Sequence, residues 1–140
     1  MFKATSRGFT LVELVVVITI LGILAAFAVP RFLALDGKAR EAAVDGLAGS
    51  LRSAAALTHS LYIATGNTSP VQMDGASIVM SNGYPDLASI DDTLADFTGF
   101  TYVPATGIFS KTGAPGVCTV TYAAAPANGA PTITVTKTAC

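Results

Sequence analysis

The stretch "RGFTLVELVVVITILGILAAFAVPRF", Arg7 to Phe32, decides how the rest of the chain is read. Between Phe9 and Val29 it carries one charge, Glu13, in an otherwise apolar run. About 21 residues of helix span roughly 31 Å, which matches a bilayer hydrocarbon core of about 30 Å. Lys3 and Arg7 precede the run, so the positive-inside rule keeps them in the cytoplasm and exports everything after Arg31. A secretory signal is the competing reading, and "LAAFAVP" offers a passable cleavage site for one. Against it stand the length of the run, its internal acid and a helical pattern that continues almost unbroken beyond it.

Working outward, residues 31–67 read "RFLALDGKAREAAVDGLAGSLRSAAALTHSLYIATGN". Val44, Leu47, Leu51, Ala54 or Ala55, Thr58 and Leu61 recur at three- and four-residue spacing, which is one apolar stripe on a helix. Arg40, Glu41, Asp45 and Arg52 fall on other faces, and Gly66-Asn67 supplies a stop. The two halves together predict one helix of about 57 residues, roughly 85 Å long. Its first half is apolar all round and its second is one-sided. The first half therefore suits a bilayer or a bundle, and the second suits packing against a globular head. Gly22 and Pro30 weaken a helix. Gly37, Gly46 and Gly49 each cost about 1 kcal/mol against Ala. Either neighbouring helices approach closely there, or the helix breaks near Gly37. His59, the single histidine, reads as a surface or packing residue, since no metal-type ligand is spaced with it.

The remainder reads as short strands. "ASIVMSNGYP" is a strand ending at a glycine turn, and two short strands flank Pro104 to Gly107. "VCTVTYAAAPANGAPTITVTKTAC" is a hairpin with Asn128-Gly129 as its turn. Pairing symmetric about Gly129 sets Cys118 opposite Cys140. It also puts Cys118, Val120 and Tyr122 on the face opposite Ile133 and Val135, a conflict that a bulge or longer loop would have to correct. Two cysteines on the exported side imply one disulfide, worth roughly 3 kcal/mol for a loop of this length. Asp86, Asp91, Asp92 and Asp96 match no EF-hand spacing and read as solvated or capping acids, so no metal or other cofactor is expected. A net charge of −1 argues against nucleic acid as the main partner. No nucleophile, base and orienting group can be assembled, so no enzyme is read. The fold class is α+β: a long N-terminal helix with an antiparallel sheet wrapped on its second half.

The junction "SRGFTLVELVVVITILGILAAFAVP" resembles the N-terminus of type IV pilins and of the pseudopilins of type II secretion. The resemblance covers roughly the first 25 residues and is highly specific. It implies a short basic leader that a membrane peptidase removes after Gly8, N-methylation of the new terminal Phe9, and an acidic fifth mature residue at Glu13. Removing the leader would take Lys3 and Arg7 with it and move the net charge from −1 to −3. Gly22 and Pro30 fall where the family has helix-weakening positions, and a disulfide-bounded C-terminal region such as Cys118–Cys140 is usual for its heads.

The implied organisation is a leader over 1–8, a transmembrane or filament-core helix over 9–30, an amphipathic half-helix over 31–66 and a head over 67–140. The implied function is that of a major pilin polymerising into a surface fibre, with a pseudopilin or a minor pilin as the alternatives. The implied partners are copies of the chain in a helical filament, a prepilin peptidase that also methylates, an inner-membrane platform with its ATPase, and the membrane before assembly. The head would lie in the periplasm first and in an extracellular fimbrium afterwards.

The physics gives Glu13 its role in this scheme. A mid-bilayer charge costs about 2.5–3.5 kcal/mol. Near the helix start the acid is tolerated and favoured by the helix dipole, which explains survival but not why an acid is wanted. Among packed helices it needs a cation, and the nearest is the α-amine of Phe9, its own or a neighbour's. The absence of any Asp or Glu after Asp96 separates the chain from calcium-binding major pseudopilins. The stretches "GFTLVELVVVITILGILAAFAVPRFLALDGKAR" and "VQMDGASIVMSNGYP" resemble the mannose-sensitive haemagglutinin (MSHA) group, which implies adhesion and biofilm formation.

Overall fold

The computed structural model describes residues 8–140. Lys3, Arg7 and all of the expected leader except Gly8 lie outside the described residues. The fold is α+β: among the described residues, one long helix and then eight short strands, all paired antiparallel. Two compact units divide at Asp36/Gly37.

Helix α1 runs from Leu11 to Ala64, 54 residues, two short of the expected start and two short of the expected end. In the first unit every described residue is exposed, from Gly8 through Asp36. The helix is unbroken at Gly22, Pro30 and Gly37. Proline lacks the N–H that would bond the carbonyl four residues earlier, so the turn at Pro30 is held by its neighbours. Of the two alternatives for Gly37, a break in the helix does not occur. Gly37, Gly46 and Gly49 have open space where a Cβ would sit, so nothing within this chain requires glycine there.

The second unit begins with the amphipathic half. Val44, Leu47, Ala48, Leu51, Ala54, Ala55 and Thr58 are buried, which is the predicted stripe widened by Ala48; Leu61 is half-buried. The helix stops in a Schellman turn: Asn67 donates its N–H to the Tyr62 carbonyl at 2.9 Å and Gly66 to Ile63 at 3.1 Å. Gly66 and Asn67 take φ of +77° and +61°.

Strands β1 (Val71–Met73) and β2 (Ala76–Ile78) form one two-stranded hairpin; β3 (Met80–Ser81) and β4 (Tyr84–Pro85) form a second. Asn82-Gly83, both at positive φ, turns the latter, as left-handed hairpin turns require. A 3-10 turn, Asp91–Thr93, follows. Strands β5 (Phe100–Val103), β6 (Ile108–Lys111), β7 (Val117–Ala123) and β8 (Thr132–Thr138) make a four-stranded meander in that order. Gly107 enters β6 at φ +68°, where a Cβ would stand 2.1 Å from the Tyr122 carbonyl oxygen.

The β7–β8 register corrects the symmetric expectation. Val120 pairs with Val135, Tyr122 with Ile133, and Cys118 with Lys137, not with Cys140. The connection runs over residues 124–131 and is off-centre from Asn128-Gly129. The odd shift returns Val120, Tyr122, Ile133 and Val135 to one face. Burying that face decides the register, because a one-residue slip would turn it outward. Cys140 still reaches Cys118, because the chain turns after Thr138 through Ala139 at φ +59°, and the disulfide forms. The core joins Val44, Leu47, Ala48, Leu51 and Ala55 of the helix to Ile90, Phe109, Val120, Tyr122 and the two cysteines.

Candidate functional site: the N-terminal junction and apolar helix

Thr10 and Glu13 close the start of α1 on each other. The Thr10 N–H donates to Glu13 Oε2 at 2.9 Å and its hydroxyl donates to the same oxygen at 2.7 Å. The Glu13 N–H returns a bond to Thr10 Oγ1 at 3.2 Å. This is a capping box, in which residue and cap satisfy each other's orphan donors. Thr10 was not among the candidates read from the sequence, although the T-x-x-E spacing ahead of an apolar run is the signature of this box. Among the described residues no basic side chain pairs with Glu13. Among the described residues the carboxylate is thus a helix cap with no counter-charge beside it.

Behind the cap the apolar side chains have no cover. Phe9 is 79% exposed, Leu11 77% and Phe27 74%, and the valines, leucines and isoleucines between them are all exposed. Fully covering each large side chain is worth roughly 1.5–3 kcal/mol. A contiguous apolar surface of this extent marks contact with lipid or protein. The helix is long and apolar enough to cross a membrane. Gly22 and Pro30 lie within this uncovered length, and nothing approaches Gly22.

The other sequence candidates sit in the second unit. Cys118 and Cys140 are bonded and buried. Beside them, Arg40 Nη1 donates to the Cys140 carbonyl at 2.8 Å and Lys137 pairs with Asp45, which fastens the end of β8 to α1. His59 is a packing residue. Its ring stacks on Tyr84 at 4.2 Å, and Nδ1 lies 2.7 Å from the Gly83 carbonyl, which only accepts, so Nδ1 carries the proton.

The four aspartates do not converge. Asp86 accepts from the Ala88 N–H, and Asp96 accepts from the N–H and hydroxyl of Thr98, bonds that lower the Asp96 pKa. Burial raises that of Asp91. No three metal-type ligands come together among the described residues. Two tyrosines close the core instead. Tyr122 donates to the Pro85 carbonyl at 2.7 Å and Tyr102 to that of Leu87. Burial, then the charges of Asp91 and Asp86, push the Tyr102 phenol up to about 12; burial raises Tyr122 further.

A capped, uncovered apolar helix, long and apolar enough to cross a membrane, leads into a disulfide-closed α+β head. Residues 3–29 match the prokaryotic N-terminal methylation motif. The type IV narrow pilus major component PilA5 of Thermus thermophilus is 54% identical over 52 residues, 37% of this chain and 45% of that protein. A fimbrial protein of Dichelobacter nodosus is 38% identical over 94 residues, 65% of this chain and 56% of its own. The type IV major pilin protein PilA of Myxococcus xanthus is 45% identical over 40 residues, 29% of this chain and 18% of its own. The chain is thus similar to type IV pilins in its methylation motif and in the stretches these relatives share with it. The matched stretch spans about half or less of each relative's length. No solved structure matches the chain.

Proposed function

We propose that the chain is the major structural subunit of a type IV pilus, cut after Gly8, N-methylated at Phe9 and polymerised through its N-terminal helix. The observation that carries this reading is the segment over residues 8–36, helical from Leu11, in which every residue is exposed. Residues 9–30 span the inner membrane before assembly and line the fibre afterwards. Residues 31–66 carry the head, and 67–140 form it, first in the periplasm and then on the extracellular fimbrium. Moving the apolar half from lipid to a protein core of similar polarity costs little hydrophobic free energy, so a peptidase-methylase and an ATP-driven membrane platform can handle the chain without extracting it into water. Cleavage frees an amine at Phe9, and Glu13 supplies its counter-charge in the growing fibre. Gly22 and Pro30 let the helix yield there. The relatives' descriptions as major pilus components support a major rather than a minor subunit. The C-terminal disulfide, with no acid after Asp96, supports a pilin over a pseudopilin. The MSHA-like stretches support an adhesive, biofilm-forming fibre.

Negative-stain microscopy of sheared surface fractions, with N-terminal sequencing of the subunit, tests the reading. Long fibres whose subunit begins at methyl-phenylalanine are expected. A subunit beginning beyond Ala28 would establish a secretory signal instead, and short forms seen only on overexpression would establish a pseudopilus.

A further inference from the structure

The crossover from β4 to β5, residues 86–99, is pinned to the head from inside. Ile90 is fully buried, Ser89 and Thr93 nearly so, and Leu87, Leu94 and Phe97 pack on the edge of the core. Ser89 Oγ accepts from the Val79 N–H at 3.1 Å, and the Thr93 hydroxyl donates to the Ile90 carbonyl at 2.6 Å. The Phe97 ring meets Phe109 edge-on at 5.8 Å. The 3-10 turn at the centre of the crossover, Asp91–Thr93, packs against β2.

Asp91 is the exception among the acids of this segment. Asp86 and Asp96 accept bonds from nearby N–H groups, and Asp92 is exposed. Asp91 is only partly exposed and follows the buried Ile90. Its Oδ1 is buried and, among the described residues, is the one such side-chain atom without a hydrogen-bond partner. A buried oxygen with no donor is most costly when the carboxyl group is charged. The groups that face it do not relieve that charge. Asp92 adds a like charge on the same turn, Tyr102 of β5 presents a phenol that stays neutral up to about 12, and β2 brings no titratable side chain. Asp86 adds a further negative charge on the far side of Tyr102. Burial raises the Asp91 pKa above its ordinary 3.8, the charge of Asp92 adds to this, and the backbone N–H groups of Asp91 and Asp92 do not offset the two.

We propose that Asp91 is an acid-set latch: taking up a proton from solvent at its carboxyl group tightens the 86–99 crossover on the core, and losing it toward neutrality loosens that segment ahead of the rest of the head. The closed crossover holds a proton that the opened one gives up. Closure is thus favoured in full below the ordinary aspartate value, and the advantage is lost as pH rises through the folded value. Opening of this kind is local, because the strands of the meander do not depend on the turn for their own ladders.

The test follows single-amide hydrogen exchange by NMR on the full chain in micelles, from about pH 4 to about pH 7, corrected for the intrinsic pH dependence of exchange. The Thr93 and Leu94 N–H groups bond the Ile90 and Asp91 carbonyls and report opening of the turn. Val120, in the ladder between β6 and β7, reports the head as a whole. Each pH unit between the folded and open midpoints is worth about tenfold in the opening constant. Opening at Leu94 should rise at least about threefold toward neutrality in wild type, with Val120 unchanged. Asp91→Asn, of the same size and uncharged, should abolish the rise; Asp92→Asn should keep most of it, because burial is the larger cause. The carboxyl carbon of Asp91 should titrate above the ordinary aspartate value. Titration at or below that value, a flat response at Leu94, or the same rise in Asp91→Asn overturns the proposal. An equal rise at Val120 overturns it too, since the whole head would then respond. The wild-type titration decides the case even where Asp91→Asn does not fold.

Discussion

The two units of the chain solve the problem of apolar surface in opposite ways. Residues 37–140 bury theirs internally: a stripe on α1, the inner face of the sheet and a disulfide close on one another. Residues 8–36 bury none. The same helix runs through both, and the difference lies in the pattern of its side chains. One-sided apolar spacing from Val44 to Thr58 can be satisfied by one sheet. A segment apolar on every side cannot, because a single neighbour covers only part of the circumference. Such a segment needs lipid or several helices around it. The head is therefore stable through its own contacts, and the N-terminal half through those of other molecules.

Breaking the N-terminal half should have the largest effect on assembly and little on the head. Glu13 has two separable roles: a cap to Thr10 within the chain and, by our proposal, a counter-charge to Phe9 in the fibre. Glu13→Gln keeps the capping-box chemistry and removes the charge. Thr10→Val removes the cap and keeps the charge. If charge pairing governs assembly, Glu13→Gln should insert and be processed normally yet lose at least nine-tenths of the fibre yield. Thr10→Val should then cost only the value of a cap, about 0.5–2 kcal/mol of local helix stability. Quantitative blots of sheared fibre against membrane-held subunit read both. The reverse ranking would make Glu13 a helix cap and nothing more.

Breaking the head should leave the helix N-terminus intact and lower the melting temperature. Cys118→Ala with Cys140→Ala releases a closure spanning 22 residues, worth about 3 kcal/mol. The full chain in micelles should lose its near-ultraviolet signal at lower temperature than wild type. The far-ultraviolet helix signal from the apolar half should persist through that transition. If both signals fall together, the two units are not independent.

How far this division could be read beforehand depended on the kind of signal. Hydrophobic periodicity is local and strong, so the helix, its uncovered half and the Val44–Thr58 stripe were legible. Asn82-Gly83 and Gly66-Asn67 were legible for the same reason, since positive φ selects those residues. The β7–β8 register was not. Asn128-Gly129 is a strong turn signal, but it sits within a longer connection. Burial of Val120 and Tyr122 against the helix, a contact between distant parts of the chain, overrides the symmetric pairing. The disulfide was expected, yet the route is different: Cys140 turns under the sheet after Thr138 instead of facing Cys118 across the ladder. The Thr10–Glu13 box was legible in the T-x-x-E spacing ahead of the apolar run.

The smallest expected effect sharpens the comparison through pH, since the buried phenols belong to the head alone. Tyr102 and Tyr122 both have folded pKa values above the ordinary value of 10, Tyr102 at about 12. Above pH 10 the unfolded chain gives up these protons while the folded chain holds them. The unfolded state then binds fewer protons, and stability falls as pH rises. The contribution is complete below pH 10 and is lost progressively as pH climbs toward and through the folded values. Tyr122→Phe removes one of these phenols and leaves the Pro85 carbonyl without its donor, at a cost of about 1–3 kcal/mol near neutrality. Melting of the full chain in micelles should therefore show two changes in this variant: a lower midpoint at pH 7 and a shallower decline from pH 10 to 12. An unchanged slope would assign alkaline sensitivity to groups outside the head's core. A helix signal from residues 11–36 that declines in parallel would undo the separation of the two units.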